Sequence, residues 1–145
     1  MDKTVFFSVI TRNHEKYLPI YFRCVEELDY DKQNIVLYIN TNNNDDNTIK
    51  FLTDWIEKNH QKYKKVIFER GLQFDQLTQD MEWEANNCYR LKLMSKIRNR
   101  SLDLCRLEKT DYYFCMDTDN WIAPCTLKYL VSQEKPIIAP FRRVS

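Results

Sequence analysis

Five short apolar runs, separated by stretches of helical spacing and most of them ending at a polar loop, constrain this chain more than any other feature. They are VFFSVI (5–10), NIVLYIN (34–40), KVIFER (65–70), YYFCM (112–116) and PIIAP (136–140). Each is strand-length and apolar, and the period of the pattern changes between them. A helix to about Leu28 carries the stripe Leu18, Tyr21, Phe22, Val25 and Leu28, with Pro19 tolerated in the first turn. A second helix, Thr48 to Asn59, presents Ile49, Leu52 and Ile56; a third, Arg90–Leu107, presents Met94, Ile97, Leu102, Leu104 and Cys105. A short helix spans Thr126 to Val131, and Gly71–Tyr89 has no clean period, which predicts a long loop with a helical turn. Such alternation predicts a single α/β domain over residues 1–145, with a mainly parallel central sheet flanked by helices. Open sheets of this class bind ligands beyond the carboxyl ends of their strands. Thr11–Asn13, Thr41–Asp46 and Asp117–Asn120 all follow such ends and are expected to converge on one crevice.

Composition removes several classes of function. With 22 basic and 21 acidic side chains, the net charge is +1, so nothing points generally to nucleic acid or an anionic membrane. No apolar run is long enough to cross a bilayer and Met1–Lys3 opens no signal peptide, which predicts a cytoplasmic chain. Five cysteines without a CxxC pair fit neither a zinc staple nor a disulfide framework, so a reducing compartment is expected, with Cys105 and Cys115 as small buried hydrophobes. The single glycine, Gly71, excludes glycine-rich dinucleotide and phosphate loops. A bound nucleotide would have to be held by side chains and a metal. No serine elbow, HExxH or cysteine–histidine pair is present. An aspartyl phosphatase would carry its acidic pair after the first strand, not the fourth.

That pair is Asp117 and Asp119. An extended backbone points both side chains the same way, where they suit Mg²⁺ or Mn²⁺; the competing reading is a solvated turn or helix cap. Nearby, Asn120 is a turn cap or a ligand contact, and Trp121 is expected to pack rather than stack. Arg98 falls inside the apolar arc of its helix, so it must snorkel or meet an acceptor, either a nucleotide or a loop carboxylate. Lys92, Lys96, Arg100, Asp103 and Arg106 lie off that arc and predict solvated charge. Thr11, Arg12 and Asn13 are placed to grip a base, ribose or phosphate, or to start a helix. Asp45 and Asp46 either accept from a base or ribose or cap the next helix. His14 and His60 are expected in capping or surface roles.

Taken in order, FFSVITRNHEKYLP, LDYDKQNIVLYINTNNNDDNT, KIRN, YYFCMDTDN and PIIAP resemble the nucleotide-sugar-binding half of a GT-A glycosyltransferase. Within that class the likeness is to the amino-terminal domain of procollagen galactosyltransferases and related viral collagen-modifying proteins. The resemblance implies a hexosyltransferase using a UDP-sugar and Mn²⁺, with collagen-like protein as acceptor and a cytoplasmic or virus-associated location. It implies Asp119 on the metal, Asp117 near the ribose or sugar, and Thr11, Asn13 and Asp45 or Asp46 flanking the uridine. Arg98 matches the arginine on the helix entering the DxD strand. No carboxyl-terminal His or Asp completes the metal set, and Glu82 and Glu84 are the only suggestions for an acceptor base. Those departures keep open a non-catalytic interaction module or homodimer.

Overall fold

The computed structural model describes residues 3–70 and 83–140. Strands β1 (Val5–Thr11), β2 (Ile35–Thr41), β3 (Lys65–Arg70) and β4 (Tyr112–Cys115) form one all-parallel sheet in the order β3-β2-β1-β4. The helices are α1 (Leu18–Glu26), α2 (Thr48–Asn59), α3 (Trp83–Glu108) and α4 (Thr126–Ser132).

A parallel sheet needs cover on both faces. The alternation along β1 and β2 supplies two apolar surfaces. Val5, Phe7 and Val9 pack with Ile35, Leu37 and Ile39 against Leu18, Tyr21, Phe22 and Val25 of α1, Leu52 and Trp55 of α2, and Leu127 of α4. Phe6, Val36 and Tyr38 pack on the other side with Leu104 of α3. There Phe6 stacks between Tyr38 and Tyr113, at centroid distances of 5.8 and 6.0 Å. The chain steps outward from β1 to β3 with α1 and α2 on one face, then returns through α3 on the other to lay β4 against β1. Reversing direction and face together preserves the hand of every crossover, as the twist of parallel units demands.

The stripe on α1 is the expected one, and Leu28 is buried with it. On α2 the buried face is shifted: Thr48, Leu52, Trp55 and Asn59 are inside, while Ile49 is exposed. Trp55 decides the rotation, because its ring tilts onto Phe22 at 4.3 Å and buries more apolar surface than an isoleucine. On α3 the buried line is Leu93, Ile97, Ser101 and Leu104. This helix begins by Trp83, so residues 83–89 are helical rather than loop, while the expected loop at 71–82 lies outside the described residues.

PIIAP forms no strand. Ile137 is 93% exposed, and Pro136 and Pro140 each lack the N–H that a ladder requires. Two cysteines differ from expectation as well: Cys115 is exposed and Cys105 only partly buried. Arg100 is not simply solvated, since its Nη2 lies 3.0 Å from Glu69 Oε1. Glu69 also accepts from the hydroxyl of the buried Tyr38 at 3.3 Å.

Candidate functional site

The site follows from strand order. The chain leaves β1 toward β2 and comes back on its other side as β4, so the loops after β1 and β4 diverge and open a crevice between them. Register fixes what meets there. Cys115 lies level with Ser8, and three further residues bring Thr118 beside Thr11, where the two hydroxyls are 3.1 Å apart. Thr118 is 1% exposed and also bonds His14 Nδ1. The amide of Asn120 donates to Asp117 O at 3.0 Å and closes a turn. With Thr118 tucked inside, its neighbours Asp117 and Asp119 both face outward into the cleft. They share a side because of this turn, not because the backbone is extended.

Below the turn, the fully buried Tyr21 hydroxyl donates to Met116 O at 2.9 Å. Burial first, and then the negative field of Asp117, pushes this phenol well above its ordinary value, so it remains a donor. Thr118→Val should therefore be felt: the isostere leaves Thr11 Oγ1 and His14 Nδ1 without their shared partner. We expect a loss of about 1–3 kcal/mol in urea denaturation; a change under about 0.5 kcal/mol would show that this hydroxyl does not hold the loop.

The cleft has a volume of ≈ 540 Å³, and Thr11, Arg12, Asn13, Arg98, Asp117 and Asp119 all line it. Arg98 Nη2 stands 3.7 Å from Asp117 Oδ1, so a loop carboxylate is its ion-pair partner; both side chains are about half exposed. The Nε of Arg12 donates to Asn43 O at 3.1 Å.

Asp45 and Asp46 do not line the cleft; they brace the loop that does. Asn13 and Asp45 bond reciprocally, Nδ2 to Oδ2 at 3.3 Å and Asp45 N to Asn13 Oδ1 at 2.7 Å. Asp46 accepts from Thr48 N at 3.0 Å and Glu15 N at 3.2 Å, serving the start of α2. Asn13 and Asn43 take φ of 50° and 46°. Asparagine enters this left-handed region more readily than most residues, which suits a chain with one glycine.

Burial, the largest influence on Asp46, raises its pKa, but hydrogen bonds from Thr48 and the Glu15 amide outweigh it and hold the carboxyl below 3.8. A depressed folded value adds stability that is full above the unfolded pKa and lost as pH falls through the folded one. Asp46→Ala should cost about 1 kcal/mol at neutral pH and flatten the acid limb of the stability curve. Urea midpoints across that range measure both effects.

Two ionisable residues that sequence reasoning did not select also line the cleft, His14 and Arg90. His14 was expected to cap or face solvent; its carbonyl does serve the start of α1, accepting from Tyr17 N at 2.8 Å, but its ring reaches Thr118. No local pattern reveals that. Arg90 had a signal, since it lies two helical turns before Arg98. Trp121, expected to pack, is instead 51% exposed.

Among the described residues, no three His, Cys, Asp or Glu side chains gather into a metal-binding group. The donor set still fits a hard dication of the kind that takes one or two protein carboxylates and completes its shell with phosphate oxygens and water. Asp117 and Asp119 are two outward carboxylates in one cleft, and Asp119 Oδ1 is met only by Asn120 Nδ2 at 3.3 Å among the described residues.

A parallel sheet with a polar, acid-and-arginine-lined cleft at its switch point defines the class as a GT-A, Rossmann-like domain. Solved structures agree on the fold. A mannosyltransferase from Pyrobaculum calidifontis, determined with GDP-Man and Mn²⁺, superposes with a TM-score of 0.64 at 17% identity, over 94% of this chain and 34% of that one. S. aureus TarS 1-349 in complex with UDP gives 0.55 at 16%, over 89% and 31%. The chain belongs to glycosyltransferase family 25 as its N-terminal domain, whose family model matches residues 2–144. Relatives include human procollagen galactosyltransferase 2, 30% identical over 94% of this chain and 22% of that protein. A glycosyltransferase 25 family member of Anopheles gambiae is also 30% identical, over 94% and 23%. The mouse inactive glycosyltransferase 25 family member 3 is 29% identical, over 94% and 23%. The chain thus spans less than a quarter of the length of these relatives. No described helix is long and apolar enough to cross a membrane.

Proposed function

We propose that this chain is the nucleotide-sugar-binding domain of a metal-dependent hexosyltransferase. The donor is a UDP-sugar carrying galactose or glucose, and the acceptor is a hydroxyl, with hydroxylysine of a collagen-like protein as the class suggested by the procollagen-named relatives. One observation supports this most: the fold draws Asp117, Asp119, Arg12 and Arg98 into a single cleft at the switch point.

Asp119, with Asp117 beside it, would hold Mn²⁺ or Mg²⁺. When bound, the cation supplies positive charge that stabilises the negative charge developing on a departing diphosphate. Arg98 holds Asp117 in place and adds a second positive centre, while Arg12 offers donors to phosphate. Thr11 and Asn13 flank the base and ribose, with Asp45 bracing Asn13 from behind and Asp46 securing the start of α2. No acceptor base is assigned: Glu82 lies outside the described residues, and Glu84 is placed only as part of α3.

Calorimetric titration of UDP with and without Mn²⁺ tests the reading. Tighter binding with the metal is expected; no metal-dependent binding in the wild-type chain would overturn it. Relatives named as inactive at the same similarity favour one alternative, a non-catalytic module that dimerises. That reading predicts a stable dimer by light scattering together with absent UDP affinity.

A further inference from the structure

The cleft contains one more charge than the donor-site reading uses. Arg12, Arg90 and Arg98 face Asp117 and Asp119 across a space of ≈ 540 Å³. Two of the guanidinium groups are already engaged, Arg98 with Asp117 at 3.7 Å and Arg12 with Asn43 O at 3.1 Å. The Arg90 side chain has no hydrogen-bond or ion-pair partner among the described residues. It lies eight residues before Arg98, about 12 Å along the helix axis, with Leu93 and Met94 between them on the same wall. Leu93 is 5% exposed, so this wall is packed into the fold and Arg90 is carried on a fixed surface.

With Arg98 and Asp117 neutralising each other, Arg12, Arg90 and Asp119 leave the cleft net positive before any cation enters. A positive, partly enclosed cleft attracts anions. We propose that Arg90 grips a phosphate oxygen of the nucleoside diphosphate and does so independently of the metal. This rests on the donor-site reading and adds a further phosphate anchor on the α3 wall of the cleft.

Titrations of UDP and of uridine into the wild-type chain, Arg90→Ala and Arg90→Lys, each with and without Mn²⁺, test it. Alanine at this exposed helical position keeps the fold, since it is the best helix former, and circular dichroism verifies that. Arg90→Ala should weaken UDP about tenfold, as expected for loss of one charge-assisted contact, by a similar factor with and without Mn²⁺. Uridine affinity should not change, lysine should recover part of the loss, and the difference should shrink as salt rises. Unchanged UDP affinity in Arg90→Ala, beside a wild type that binds, overturns the anchor alone. An equal loss for uridine overturns it too, because Arg90 would then be shaping the wall rather than holding phosphate. A loss confined to the Mn²⁺-loaded protein overturns the metal independence. A wild type that binds no UDP removes the donor site and the anchor together.

Discussion

Asp119→Ala should leave the chain folded and strip the Mn²⁺-dependent gain from UDP binding. The side chain is exposed, and among the described residues its carboxylate meets only the Asn120 amide, at 3.3 Å. Removing it opens no cavity and orphans no buried group, so stability should stay within about 0.5 kcal/mol. Its chemical consequence is much larger. A bound dication is worth several kcal/mol to a departing diphosphate. Loss of one preorganised electrostatic contact of this kind typically costs on the order of 10²–10³ in rate. In calorimetry, the variant with Mn²⁺ should bind UDP no better than without it; in a transfer assay the rate should fall by that factor. Asp119→Asn, which keeps the shape and loses the charge, should behave the same way. Asp117→Ala differs, because it also releases Arg98 from its partner at 3.7 Å. If Asp119→Ala retained the full metal-dependent gain, the carboxylate pair would not be the metal site.

Phe7→Ala should produce the largest loss of stability. Phe7 is fully buried at the middle of β1, an interior strand with neighbours on both sides. It is level with Leu37 on β2 and Phe114 on β4, and its ring tilts onto Phe114 at 4.9 Å. Truncation removes the transfer free energy of the ring and leaves a hole between rigid strands, costing about 3–5 kcal/mol. Against a total of roughly 5–15 kcal/mol that is a large share, and the melting temperature should drop by about 10 °C. Urea and thermal unfolding measure it. Ile137→Ala is the natural comparison: with 93% of this residue exposed, the change should be within about 0.5 kcal/mol. A comparable loss at both positions would contradict the placement of the core.

Much of this fold was legible because strand and helix periods are local properties of the chain. VFFSVI and NIVLYIN announce buried parallel strands by being apolar at both parities, and Leu18, Tyr21, Phe22 and Val25 announce the inner face of α1. The failures share a cause. Ile49 and Trp55 compete to set the rotation of α2, and only the neighbouring ring of Phe22 decides between them. PIIAP has the composition of a strand, but pairing is a property of two segments, and its prolines give the edge of β4 too few donors. Cys115 lies within an apolar run and still faces solvent, because β4 is the sheet edge.

In the site, loop positions after strand ends were predictable from chain order alone, which is why Thr11, Asn13, Asp117 and Asp119 were candidates from the start. The division between Asp45 bracing Asn13 and Asp46 serving α2 was not, because both residues can cap, brace or bind with equal ease. His14 was out of reach for another reason: it meets Thr118 across 104 residues of chain, and no local pattern encodes that encounter.

By itself, the sequence determined the alternation of elements, the parallel sheet and the loops that carry polar chemistry, since each depends on side-chain periods within one short stretch. Only the tertiary structure decided that β4 lies beside β1, that the buried hydroxyl of Thr118 turns two aspartates outward, and that Arg90 and His14 belong to the same cleft. The physical reason is register. A strand's neighbours are chosen by packing and hydrogen bonds between segments far apart in the chain, and a shift of one residue would have reversed which side chains face the cleft.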